Sequence, residues 1–160
     1  MNNITKEIKY LGYYQLIGGV IGLGLIIYQL INTPLKGSNI VVYILLNSLF
    51  LFSIYAGKLC IDNHKKCLLI SKINQALQVI SVGLMGFSYM YVAGIYLNVG
   101  VDLMAEDWLQ LGGGVSSVEL AYSSTKEKAF VMVNVIAFFL IARIIKLENK
   151  LVSYQVKSGE

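Results

Sequence analysis

Hydrophobic and polar positions along the chain fall into long uncharged runs separated by short charged or turn-forming segments. No charge occurs between Lys9 and Lys36. That interval holds Tyr10 to Ile31, long enough at ~1.5 Å per residue to cross a ~30 Å hydrocarbon layer. Asn32 to Asn39 carries the only proline, Pro34, together with Gly37, a composition that favours chain reversal. A second uncharged run, Ile40 to Gly57, is followed by a basic connector from Lys58 to Lys72. The interval Ile73 to Val101 is again free of charge and accommodates a helix over 75–97. The last run, Ala129 to Ile145, is the shortest, because only 14 residues separate Lys128 from Arg143. Arg143 would have to reach the headgroups along its own alkyl stem.

The pattern therefore predicts an all-α integral membrane protein, a bundle of four transmembrane helices at about 10–31, 40–57, 75–97 and 129–145. An external loop, 98–128, joins the last two, and 146–160 forms a cytoplasmic tail. An interfacial position for 129–145 is the weaker alternative, since its apolar residues surround the whole cylinder. Leu147, Leu151 and Tyr154, at i, i+4 and i+7, extend that helix as an amphipathic stub. Inside the loop, Val99, Val101 and Leu103, and later Val118, Leu120 and Tyr122, alternate with smaller or polar neighbours. That period predicts a short β-hairpin capping the bundle.

Composition agrees with a membrane chain: 56% hydrophobic, 14% charged and a mean hydropathy of +0.66 over 160 residues, against roughly 25% charged in soluble domains. Little length remains for a separate catalytic domain. On the four-helix layout ten of the 13 Lys and Arg residues fall on one side, which the positive-inside rule makes cytoplasmic, with both termini. The expected location is a bacterial inner membrane. The net charge of +4 then follows from topology and anionic lipid, with no nucleic-acid partner. A cleaved signal peptide fits the first run less well, because that run is longer than a signal core and no A-x-A-like site ends it. The layout alone resembles that of the tetraspanins. The cysteine motif of their large outer loop is absent here, so the resemblance carries no function.

Helices in lipid associate through close backbone approach and hydrogen bonds. Gly18 and Gly22 form a G-x-x-x-G pair on the first helix, and Gly83 and Gly86 are the small residues of the third. Gln15, Gln29, Asn47, Gln78 and Asn134 are the intramembrane amides, and Asn74, Ser81 and Ser88 extend the line of Gln78. Asn47 and Asn134 fall at roughly matching depths and could bond each other. Tyr89 and Tyr91 lie too deep for an interfacial belt and should bond between helices.

Catalytic chemistry is poorly provided for. No span contains Asp, Glu, Lys or His apart from Arg143 at an end, which argues against an ion-coupled carrier. Cys60, His64 and Cys67 recur at i, i+4 and i+7, a weak metal-like signal lacking a fourth ligand, and a turn at Asp62 to His64 would break the spacing. Gly112 to Gly114 lacks the lysine and following helix of a phosphate cradle. No cofactor is expected. The outer segment, with Asp102, Trp108, Glu119 and Tyr122, is the expected recognition surface. The sequence thus reads as a non-enzymatic accessory or assembly subunit, with the lipid bilayer and a further copy or membrane protein as partners. The alternative is an oligomeric channel or small-solute or lipid carrier with a neutral polar lining.

Overall fold

A computed structural model describes residues 2–32, 39–121 and 128–158. The elements run α1 (Asn2–Asn32), α2 (Asn39–Ile61), α3 (Cys67–Ala76), β1 (Ile80–Leu84), β2 (Phe87–Asp102), β3 (Leu109–Ala121), β4 (Ala129–Asn134) and α4 (Val135–Ser158). This overturns the expected all-α four-helix, tetraspan bundle. The fold is α/β with a four-stranded antiparallel sheet, and among the described residues two helices, α1 and α2, are long and apolar enough to cross a membrane.

The third and fourth apolar runs fail as spans for identifiable reasons. Residues 75–97 are rich in Val, Ile and Tyr, which fit a pleated surface, and Met85–Gly86 breaks them. Met85 at φ 49° and Gly86 at φ 81° form the two-residue turn of a β1–β2 hairpin, whose mirror-image geometry matches strand twist. Gly86 is therefore a turn residue, with no helix to pack. In the fourth run the first six residues are β4, and Asn134 caps α4, its Oδ1 accepting from the N–H groups of Ile136 at 3.1 Å and Ala137 at 3.3 Å. These are the second and third helical positions that an asparagine cap serves. Arg143, expected to snorkel, instead pairs with Glu7 of α1 at 2.6 Å.

α1 and α2 form an antiparallel pair that crosses at glycine. A Cβ on Gly12 would lie 2.7 Å from the Gly57 carbonyl oxygen, and one on Gly57 2.6 Å from that of Gly12. Gly22 leaves room for the Phe50 ring, while Gly18 lies against the backbone of β2 at Ala93 and Gly94.

The sheet runs β1-β4-β2-β3, with β1 also pairing the start of β2. Every pairing is antiparallel, so the circuit β2–β1–β4–β2 closes only if β2 turns through a large angle along its length. It does so at a bulge where Ala93 and Gly94 face the single residue Ser116, with Gly94 at φ 108° and Ser116 at φ 46°. The expected hairpin within 98–128 is revised accordingly. Val99 pairs with Leu111 and Val118 with Tyr91, so the two segments are not each other's partners. Tyr122 lies outside the described residues.

Candidate functional site

The helical part has two apolar clusters. One joins Ile4, Ile8 and Leu11 of α1 to Cys60, Cys67, Leu68, Ile144 and Leu147. The other joins Ile26, Leu46 and Phe50 to Tyr91 and Ala93 of the sheet, with the Phe50 and Tyr91 rings edge to face at 5.3 Å.

Between them sits a polar layer. Gln15, Ser53, Ser71 and Asn74 are each 0% exposed. Gln15 donates through Nε2 to Ser71 Oγ at 2.8 Å, and its Oε1 accepts from Asn74 Nδ2 at 2.8 Å. Asn74 Nδ2 also reaches Ser53 Oγ at 3.2 Å, and Ser53 donates to the Gln15 carbonyl at 3.0 Å. The Tyr91 hydroxyl lies 2.7 Å from the Leu49 carbonyl oxygen and 3.1 Å from Asn74 Oδ1. One network thus joins α1, α2, α3 and β2 through neutral groups. Farther along, Gln78 Oε1 accepts from the Ala93 N–H at 2.9 Å, and Ser116 Oγ donates to the Gly18 carbonyl at 2.9 Å. Neutral amides and hydroxyls of this kind can solvate a polar ligand, and none of them carries a charge.

Among the described residues, three further buried side chains have atoms without partners: both amide atoms of Gln75, Ser81 Oγ and Asn98 Oδ1. A native interior satisfies nearly all such atoms with protein or water.

One face of the sheet carries exposed aliphatic rows. Its register aligns Ile80, Val133, Val99 and Leu111 in one row and Val82, Val131, Val101 and Leu109 in the next. Ile80, Leu109, Leu111, Val131 and Val133 are all exposed. The intervening row places Ser81, Met132, Gly100 and Gln110 on the opposite face.

The other expected site residues are dispersed. Gln29 is exposed, and among the described residues Asn47 bonds its own helix, at the Tyr43 carbonyl, while Asn134 caps α4, so the two amides do not pair. Gly83 leaves space for the Phe130 ring across the sheet. Gln78 is in the turn after α3, and Asn74, Ser81 and Ser88 are buried but spread over α3, β1 and β2. Tyr89 donates to the Leu77 carbonyl at 2.8 Å.

Asp102 and Trp108 stand at the β2–β3 connection, where Asp102 N–H donates to the Trp108 carbonyl at 2.9 Å and Met104 N–H to Asp102 Oδ1 at 2.9 Å. Leu103, Met104 and Trp108 are exposed there. Glu119 instead pairs with Lys128 and accepts from Ser88 at 2.7 Å.

Cys60 and Cys67 are brought into hydrogen-bond contact. That contact, and then burial, push the Cys67 thiol well above its ordinary value. His64 does not join them: it is exposed, and its Nδ1 accepts from the Lys66 N–H at 3.2 Å. Among the described residues no three His, Cys, Asp or Glu side chains are grouped to hold a metal. A cytoplasmic site and a turn at Asp62 to His64 argue from sequence against a Cys60–Cys67 pairing, yet the thiols meet across that turn. The chain matches no family model, no curated protein and no solved structure.

Proposed function

We propose that this protein is embedded in a membrane and acts without catalysis, as an accessory or assembly subunit that works through its surfaces. The observation that carries the reading is the inverted polarity: amides and hydroxyls fill the middle, and aliphatic rows face outward. Only 28% of the apolar window of α1, and 28% of that of α2, is buried, whereas a soluble protein's core helix would be mostly covered. α1 and α2 then span, and the sheet lies beside them at the same depth, since β2 meets α1 at Gly18 and α2 at Leu49. The end that gathers Lys9, Lys58, Lys65, Lys72 and Arg143 faces the cytoplasm of a bacterial inner membrane.

Recognition falls to the exposed tip formed by Leu103, Met104 and Trp108. Apolar side chains clustered on a turn that the strands hold rigidly are suited to a membrane-protein partner or a further copy. The test is purification from membranes in mild detergent with native mass measurement. A stoichiometric partner or discrete oligomer lost on replacing Leu103, Met104 and Trp108 by serine supports the reading. A monomer whose behaviour is identical with and without the tip contradicts it.

The unpartnered atoms of Gln75, Ser81 and Asn98 favour one second reading, a carrier whose neutral interior binds a polar solute or lipid headgroup. Solute flux in liposomes abolished by Gln75→Leu, with the tip intact, distinguishes it.

A further inference from the structure

The two cysteines are not used by that reading, and their setting is specific. Cys60 lies at the end of α2 and Cys67 opens α3. The chain between them doubles back, with Asn63 at φ 53°, His64 N–H bonded to the Leu59 carbonyl at 2.9 Å and Cys67 N–H to the His64 carbonyl at 2.9 Å. Both thiols sit in one buried cluster and hydrogen-bond to each other. Cys60 is wholly enclosed, with Ser71 Oγ 3.1 Å from its sulfur. Cys67 is buried but lines an open cleft of about 720 Å³. Ile8, Leu68 and Leu151 line it with apolar groups, the exposed Asn63, His64 and Lys65 with polar ones, and Glu148 also lines it, its charge met by Lys72 at 2.6 Å, which leaves Lys65 as the uncompensated charge.

We propose that Cys60 and Cys67 form a thiol–disulfide exchange site for anionic low-molecular-weight disulfides that enter through this cleft past Lys65. The roles follow from access. Cys67, through the small fraction present as thiolate, attacks one sulfur of R–S–S–R, forming a Cys67–S–S–R bond and releasing RS⁻, which takes up a proton. Cys60, directly behind, gives up its proton and attacks the Cys67 sulfur, closing the Cys60–Cys67 bond and releasing the second RSH. In sum the dithiol loses two electrons and two protons, and the small disulfide becomes two thiols. Because the resolving thiol is already in contact, the second step is intramolecular and the mixed disulfide does not accumulate. Labile disulfides that form and reopen are the kind compatible with a reducing compartment. Oxidation also reaches the polar layer: Ser71, which contacts Cys60, is the acceptor for Gln15 Nε2.

The test equilibrates the full-length protein in detergent with oxidised and reduced glutathione, quenches with acid, alkylates and measures intact mass. The wild type is expected to lose both thiols and retain no glutathione, Cys60→Ser to hold one glutathione on Cys67, and Cys67→Ser to take up none in the same time. Both thiols remaining alkylatable at the most oxidising ratio, or an adduct on Cys67→Ser but not on Cys60→Ser, overturns the proposal. Lys65→Glu, at an exposed position that leaves the fold intact, should slow reaction with oxidised glutathione several-fold and leave the neutral 2-hydroxyethyl disulfide unaffected. Equal rates for Lys65→Glu and wild type with oxidised glutathione would exclude this cleft as the way in.

Discussion

Replacing Asn74 by alanine tests the polar layer where it is most connected. The substitution removes the only donor to Gln15 Oε1 among the described residues, at 2.8 Å, and weaker contacts to Ser53 Oγ at 3.2 Å and from Tyr91 at 3.1 Å. Ser53 keeps the Gln15 carbonyl and Tyr91 keeps that of Leu49, so one buried acceptor is stranded, at ~1–3 kcal/mol. The contacts whose partners survive cost less, about 0.6 kcal/mol apiece by the average for hydrogen bonds in membrane proteins. Together these give a destabilisation of roughly 2–4 kcal/mol, which for a chain of this size lowers Tm by roughly 5–15 °C. Thermal unfolding in detergent, followed by fluorescence, reads this directly. The paired control is Gln29→Ala, an amide of the same helical system that is exposed and should stay within about 0.5 kcal/mol of wild type. Equal melting of the Asn74 variant and wild type, or equal losses for the two variants, would refute the reasoning that burial and connection, more than the presence of an amide, set the effect.

Further outcomes follow from other parts of the molecule. Gly57→Val should separate α1 from α2, because its side chain would meet the Gly12 carbonyl and Leu16; the expected cost is about 1–3 kcal/mol, read as a lower yield of folded protein and a lower Tm. Val131→Lys, on the outward aliphatic face, should destabilise the protein in bilayers by up to ~2–4 kcal/mol, measured by unfolding in liposomes. Because the Cys67 thiol is raised, its exchange with oxidised glutathione should keep accelerating with pH beyond the ordinary thiol value of about 8.5.

The helical hairpin was legible because hydropathy and length suffice for α1 and α2. The rest was not, and the reason is period. Residues 75–97 and 129–145 satisfied a test for uncharged length, yet Ile80, Val82 and Leu84 alternate with Ser81 and Gly83. Leu97, Val99 and Val101 alternate with Asn98 and Gly100, and Val131 and Val133 with Met132 and Asn134. An apolar sheet face at the surface gives each strand a high mean hydropathy, which masks the two-residue alternation that would have identified it. The same alternation was recognised at Val118 to Tyr122, but its partner was misassigned, since a bulge at Ala93–Gly94 cannot be read from pattern alone. Gln15 and Asn74 were marked as polar from spacing, whereas Ser53 and Ser71, ordinary hydroxyls in an apolar context, gave no signal. Asn134 followed by Val-Ile-Ala carried a readable helix start that the search for a span passed over.

The central claim is that the aliphatic face of the sheet lies in lipid. It is tested most directly by placing a single tryptophan there, Val133→Trp in a Trp108→Phe background, and reconstituting the protein in bilayers with brominated acyl chains. Strong quenching by the bromolipid with little response to aqueous iodide is the expected result. Emission insensitive to bromolipid and quenched by iodide would place that face in water and contradict the account.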